Sequence, residues 1–347
     1  MFYGKISLLS LAYIRRVSFF RMKIGVYSGR KDERDFFDRA ASRCGVQLVA
    51  CGAVPDLSNY RAAEGCRALS VITTPISAKL LDAFYSVGVR YISTRTVGYD
   101  HIDVAHAREI GMHIGNVSYS PDSVADYAVM MILIAVRKLK AIVIRAQGQD
   151  FSLGGVRGRE LRDLTVGVIG TGRIGSCVVR RLAGFGCRVL ACDLHENDQV
   201  RLAAEYVPLE ELYRHSDVIT LHMPATAENY HMIGRESISR MKRGVCIVNT
   251  ARGSLIDSQA LIEALEDGRV GSAALDVVED EAGLYYNDLK CINLKNRELA
   301  ILRSFPNTFV TPHTAFYTEH AVRDMVEYSV ESCAAFCRGE DNPWLVI

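Results

Sequence analysis

From Lys23 onward the chain alternates short apolar runs, rich in β-branched residues, with longer stretches whose apolar positions recur every three or four residues. Residues 23–27, 46–51, 68–73 and 89–93 read as strands, and the stretches between them as covering helices. That rhythm is the signature of βαβ units and a parallel sheet. At Ser120-Pro121-Asp122-Ser123 the pattern changes. Ser120 can cap a helix whose first position is Pro121, and Val124, Ala128, Met131, Ile132 and Ala135 keep helical spacing that carries it to about Arg145. A loop with Gly154, Gly155 and Gly158 leads into a second strand series at 165–170, 188–193, 217–221, 245–249, 272–276 and 308–311.

The segment from about Ala321 to Ile347 holds one helix and a short tail, too little to fold alone, so it is expected to return to the first series. The fold class is therefore read as α/β, with two Rossmann-like or flavodoxin-like domains on parallel sheets. Residues 22–118 plus 318–347 form one domain and residues 119–317 the other. Length agrees, because 347 residues at about 150 per domain make two. Residues 1–21 are read as an extension outside the fold. Their apolar run 6–14 is too short to span a bilayer, and Arg15, Arg16 and Arg21 follow it, the reverse of a signal peptide.

Composition narrows the function classes. With 49% hydrophobic and 23% charged residues, disorder and collagen-like structure are excluded. A formal charge of +1 leaves no electrostatic footprint for nucleic acid or an anionic membrane, so a small-molecule partner is expected. The ten cysteines lack Cys-x-x-Cys spacing and read as reduced thiols of a cytoplasmic protein. Cys333 and Cys337 share a helical face and are read as an apolar stripe; no metal site is expected.

Gly170-Thr171-Gly172-Arg173-Ile174-Gly175 follows a predicted strand and opens a predicted helix. In that context Gly170 permits the tight turn, Gly172 lets the backbone approach a pyrophosphate, and Gly175 lets helix and strand pack closely. The next strand ends in Asp193, whose carboxylate can accept from the adenosine ribose hydroxyls. A 2′-phosphate beside that charge would be repelled, so NAD is expected over NADP.

Three further segments stand at strand ends: Asn249-Thr250-Ala251-Arg252, Asp276 through Glu279-Asp280-Glu281, and Thr311-Pro312-His313. They supply a cation, an acid and an imidazole. A cation can hold an anionic group, and an imidazole beside a carboxylate can give or take a proton. Arg252 offers forked donors. His313 titrates near neutrality in ordinary surroundings, and an adjacent Glu281 would stabilise its charged form.

With these residues the chain, over essentially all of 23–347, resembles the D-isomer-specific 2-hydroxyacid dehydrogenases. The likeness is closest to D-lactate dehydrogenases of the VanH type associated with vancomycin resistance. It is carried by Tyr91-Ile92-Ser93-Thr94-Arg95, by residues 119–126, 163–175 and 311–319, and by the terminal Pro343-Trp344-Leu345-Val346-Ile347. Phosphoglycerate and hydroxypyruvate members usually carry a proline after the acid and small residues after the histidine, whereas Ala282 and Phe316-Tyr317 stand here.

The resemblance implies a homodimer, a substrate-binding first domain, an NAD-binding second domain and an active site in the cleft between them. It implies catalytic roles for Arg252, Glu281 and His313. Arg173 and Ile174 would contact the pyrophosphate, Met223, Pro224 and Asn229 the adenosine side, and Thr250, Ala251 and Asp276 the nicotinamide side. Val97 and Gly98 would meet the substrate carboxylate through backbone N–H groups, with Tyr119 and Phe316 around its substituent. The implied reaction is NADH-dependent reduction of pyruvate to D-lactate, with D-Ala-D-Lac precursors as one destination. The alternatives are larger branched or aromatic 2-keto acids, or a non-enzymatic NAD(H)-sensing corepressor on the same fold.

Overall fold

The computed structural model describes residues 22–52, 54–281 and 283–347; the extension expected at 1–21 lies outside the described residues. Two compact units divide the chain: the described part of Met1–Tyr119 with Val322–Ile347, and Ser120–Ala321.

In the first unit, β1 (Lys23–Tyr27), β2 (Gln47–Gly52), β3 (Ala68–Val71), β4 (Tyr91–Thr94) and β5 (His113–Gly115) form a parallel sheet in the order β2-β1-β3-β4-β5. Every position of β3 and β4 is buried, because a parallel sheet is covered on both faces. β5, at three residues, is not among the strands expected from the apolar pattern. Its backbone pairs with β4 on one side, and the C-terminal tail covers it through Val346 N donating to Ile114 O at 2.8 Å. Gly115 is required there: a Cβ would lie 1.8 Å from the Tyr91 hydroxyl oxygen. The helix Glu319–Arg338 lays Val326, Val330, Cys333 and Ala334 against Ile24, Ala68 and Tyr91, and Phe336 stacks on Tyr91 at 4.6 Å. Cys333 is fully buried in this apolar stripe, and all ten cysteines are free thiols.

The second unit holds β6 (Thr165–Ile169), β7 (Arg188–Cys192), β8 (Glu205–Tyr206), β9 (Val218–Leu221), β10 (Val245–Asn249), β11 (Val270–Leu275) and β12 (Thr308–Val310). Their order is β12-β11-β10-β9-β6-β7-β8, all parallel. The direction of winding reverses between β6 and β9, and in such sheets ligands bind beyond the carboxyl ends of the strands at that point.

The single helix expected to run to about Arg145 is instead two, Asp122–Val136 and Leu139–Gln147. Lys138 between them is left-handed, with φ +55°, and its ammonium donates to Gly155 O at 3.1 Å. Lys140 then reaches the carbonyls of Arg303, Phe305 and Thr308 at 2.6–2.7 Å. One left-handed residue barely disturbs the apolar spacing, so periodicity could not reveal the break. The first helix also starts one residue later than expected, with Ser120 Oγ accepting from Asp122 N at 3.3 Å. Among the described residues no helix is long and apolar enough to cross a membrane.

Candidate active site

The glycine loop sits on the β6/β9 reversal. Gly170 has φ +88°, and a Cβ on it would come within 2.7 Å of the His222 carbonyl, just past β9. A Cβ on Gly175 would lie 1.9 Å from Gly170 O, so the helix Arg173–Ala183 can approach the loop only over glycine. Gly172 has nothing within 4 Å of its Cβ position, which leaves an open approach to the first N–H groups of that helix, those of Arg173, Ile174 and Gly175. Burial pushes the neighbouring His222 imidazole down to about 3, so it stays neutral beside this anion-accepting turn.

Asp193 closes the loop from the end of β7. Its Oδ2 accepts from Thr171 N at 2.5 Å and Thr171 Oγ1 at 3.1 Å, and its Oδ1 from His195 N at 3.0 Å. Partial burial pushes the carboxyl up, but the donors of His195, Thr171 and Leu194 outweigh it and hold the group below the usual carboxylate range. An ionised acid next to a loop left open at Gly172 fits a dinucleotide whose ribose hydroxyls donate and whose pyrophosphate is anionic. Thr171, which also meets the Tyr206 hydroxyl at 2.7 Å, was not singled out in the sequence.

Met223 packs against the core and Pro224 is exposed. Asn229 shapes this loop, donating to Pro224 O at 2.8 Å and accepting from Thr226 N at 2.7 Å. After β10, Thr250 and Ala251 are each 9% exposed. Fully buried Asn249 clamps their turn: it accepts from Ala251 N at 2.9 Å and donates to Arg252 O at 2.8 Å. Arg252 Nη1 donates to Ala251 O at 2.8 Å. A Cβ on Gly253 would lie 2.1 Å from the Val278 carbonyl, so the Arg252 turn packs directly on the backbone that leads to Glu281.

Asp276, fully buried at the end of β11, organises the loop after β12. Its carboxylate accepts from Thr311 Oγ1 at 2.6 Å and from the N–H groups of Thr314 and Ala315 at 2.9 Å, while its carbonyl accepts from His313 N at 2.8 Å. This clamp holds His313, with φ +53°, against the acid: Nδ1 lies 2.5 Å from Glu281 Oε1. Glu281 Oε2 accepts from Val278 N at 3.2 Å. With Nδ1 engaged, Nε2 is the ring nitrogen that can serve a substrate. Phe316, 9% exposed, stands edge-on to the imidazole at 6.3 Å. Tyr286, absent from the sequence reading, meets Phe316 edge-on at 6.4 Å and donates to His313 O at 2.8 Å.

The Glu279 carboxylate forms a second such pair, with His231 Nε2 2.5 Å from Oε1. Its Oε2 accepts from Ser258 N at the start of the helix Ser258–Glu266, which gives this pair a structural task. Thus Arg252, Glu281, His313 and Phe316 lie on neighbouring loops of the second unit. Val97, Gly98 and Tyr119 belong to the first, on the segments that follow β4 and β5.

Residues 129–315 match the family profile of the D-isomer specific 2-hydroxyacid dehydrogenase NAD binding domain. A D-specific alpha-keto acid dehydrogenase of Enterococcus faecium is 44% identical over 320 residues, 92% of this chain and 98% of that protein. An aromatic 2-oxoacid reductase of Clostridium sporogenes is 42% identical over 320 residues, 91% of this chain and 96% of that protein. The crystal structure of a D-lactate dehydrogenase from Treponema pallidum superposes with a TM-score of 0.83 at 33% identity, covering 94% of this chain and all of that one. The chain belongs to the D-isomer specific 2-hydroxyacid dehydrogenases, enzymes that use NAD to interconvert 2-keto acids and D-2-hydroxy acids.

Proposed function

We propose that this enzyme reduces pyruvate to D-lactate, with Arg252, His313 and Glu281 as its catalytic residues. The observation that carries the reading is the 2.5 Å contact between His313 Nδ1 and Glu281 Oε1, held by the Asp276 clamp. NADH, when bound, supplies the hydride that the keto carbon receives. Arg252 takes the substrate carboxylate and keto oxygen in its forked donor set, which fixes orientation and draws electron density from the carbonyl. His313 delivers a proton from Nε2 to the oxygen as it gains charge, and Glu281 compensates the charge of the imidazolium before transfer. In the reverse direction the same nitrogen removes the hydroxyl proton. Val97 and Gly98 supply backbone N–H groups to the carboxylate, and Tyr119 and Phe316 bound the substituent.

A small substituent is supported by Phe316 and Tyr286, whose rings crowd the side of His313. The likeness to the aromatic 2-oxoacid reductase favours a second reading, reduction of larger 2-keto acids. Turnover of pyruvate, 2-ketobutyrate, 2-ketoisocaproate and phenylpyruvate decides between them. The expected order of kcat/KM falls with substituent size, and phenylpyruvate at the head of the series overturns the assignment. His313→Gln is expected to lower kcat about 10²- to 10⁴-fold, the usual worth of a positioned acid, with NADH affinity retained. Wild-type turnover in that variant removes His313 from the mechanism. We also propose that the chain acts as a homodimer joined through the face of the helix Leu139–Gln147.

A further inference from the structure

We propose that Thr94, Thr96, His101 and Asn116 form a hydrogen-bonded brace that aims the N–H groups of Val97 and Gly98 at the substrate carboxylate. The inference rests on the reading of those two N–H groups as carboxylate donors. The four braced residues act through the loop and are positioning residues.

Three successive carbonyls after β4 are tied down. Thr96 O accepts from Val117 N at 3.1 Å, Val97 O from Asn116 Nδ2 at 2.7 Å, and Gly98 O from Thr96 Oγ1 at 2.6 Å. The described residues contain no cis peptide bond, so each N–H points opposite to the carbonyl of its own peptide unit. The carbonyls of Thr96 and Val97 both turn toward residues 116 and 117. The N–H groups of Val97 and Gly98 therefore face away from that segment, and among the described residues no hydrogen bond takes either of them. Adjacent N–H groups fixed on one side make an anion-binding concavity, and fixing them beforehand spares the substrate the cost of ordering them.

The direction of the brace follows from counting protons. Thr96 has one hydroxyl proton, and Gly98 O takes it. In its 2.7 Å contact with Thr94 Oγ1, Thr96 must then accept, which uses the only hydroxyl proton of Thr94. The 3.1 Å contact between Thr94 Oγ1 and His101 Nε2 must therefore be donated by the imidazole. The chain runs His101 to Thr94 to Thr96 to Gly98, with no alternative order. Thr94 is fully buried, so water cannot replace a missing partner at that point.

The test is steady-state kinetics with pyruvate on Thr96→Val, Thr96→Ser, Asn116→Ala and Gly98→Pro, with NADH affinity and thermal midpoint measured alongside. In Thr96→Val and Asn116→Ala the KM for pyruvate is expected to rise about three- to tenfold, the worth of one hydrogen bond. Their kcat should change less than about twofold, because binding lost equally from ground and transition states leaves kcat alone. Thr96→Ser, which keeps the hydroxyl, should restore the wild-type KM. Asn116 is half-buried at the loop edge, and its variant carries the test if Thr96→Val fails to fold. An unchanged KM in Thr96→Val and Asn116→Ala, with a raised KM in Gly98→Pro, overturns the brace and leaves the carboxylate reading standing. An unchanged KM in Gly98→Pro, which lacks the N–H, overturns both. A fall in kcat with KM unaltered also overturns the brace.

Discussion

His313 holds a backbone conformation that L residues avoid, with φ +53°, a strain of order 1–3 kcal/mol that its surroundings must offset. The Asp276 carbonyl takes its N–H, the Asp276 carboxylate fixes Thr311, Thr314 and Ala315 on either side, and the Tyr286 hydroxyl takes its carbonyl oxygen at 2.8 Å. Tyr286 is 52% exposed, so its hydroxyl contributes more to the aim of the imidazole than to the stability of the unit. Tyr286→Phe removes that bond and keeps the ring against Phe316. The expected result is a kcat lowered about three- to tenfold, equivalent to about 0.5–1.5 kcal/mol, with thermal midpoint and NADH affinity unchanged. Wild-type kcat in the variant would mean that the Asp276 clamp suffices alone. The contact between Glu281 and His313 was legible through the family resemblance, which pairs the two positions; residue type alone reads Glu279-Asp280-Glu281 as a solvated acidic edge. Thr171, Asn249 and Tyr286 were not. The Thr171 hydroxyl bonds the side chains of Asp193 and Tyr206, Asn249 the backbone of its own turn, and Tyr286 the carbonyl of His313, and neither spacing nor residue type signals such bonds.

The strands of the second unit are also tied together by charge at their amino ends. Asp217, just before β9, donates its N–H to Thr165 O at 2.8 Å, and its carboxylate accepts from Thr165 N at 2.9 Å and Arg159 Nη2 at 3.1 Å, with Lys242 Nζ 3.3 Å away. Burial pushes this carboxyl up, but the Thr165, Arg159 and Lys242 donors outweigh it and hold the group below the ordinary range. A depressed carboxylate contributes its stability fully above the unfolded value, about 3.9, and loses it as pH falls through the folded one. Asp217→Asn is therefore expected to cost about 1–3 kcal/mol at pH 7, and its difference from wild type should shrink as pH falls below about 4. Urea unfolding at pH 7 and pH 3.5 checks the sign, and a constant difference would assign the cost to neutral hydrogen bonds. The longer strands of this sheet could be read from their apolar runs to within one or two residues. The edge strand β8 has two residues and β5 in the other sheet has three, too few for any period to register. Pairing partners define such strands, and those are invisible in a linear pattern.

At the scale of the molecule, six of the nineteen exposed large apolar side chains among the described residues fall in one stretch of the second unit, residues 139–153. The helix Leu139–Gln147 has no buried residue. Leu139, Ile142, Val143 and Ile144 are 38–52% exposed, and Phe151 and Leu153 just beyond them are 78% and 86% exposed. Large apolar side chains gathered on one segment mark an association surface: full burial of an exposed one is worth about 1.5–3 kcal/mol, and the half-buried residues of this helix would gain roughly half of that each. A net charge of +1 gives two copies little mutual repulsion to overcome. A twofold interface matches a patch to itself and needs no second complementary surface, so a second copy of this chain is the simplest cover. The expected mass by light scattering after size exclusion is twice 38.4 kDa. Leu139→Glu with Val143→Glu, an i,i+4 pair on one face of the helix, places like charges on both sides of the same contact and should yield a monomer that still binds NADH, because the glycine loop and Asp193 lie on other elements. A wild-type monomer, or a double variant that stays dimeric, would remove this face from the interface.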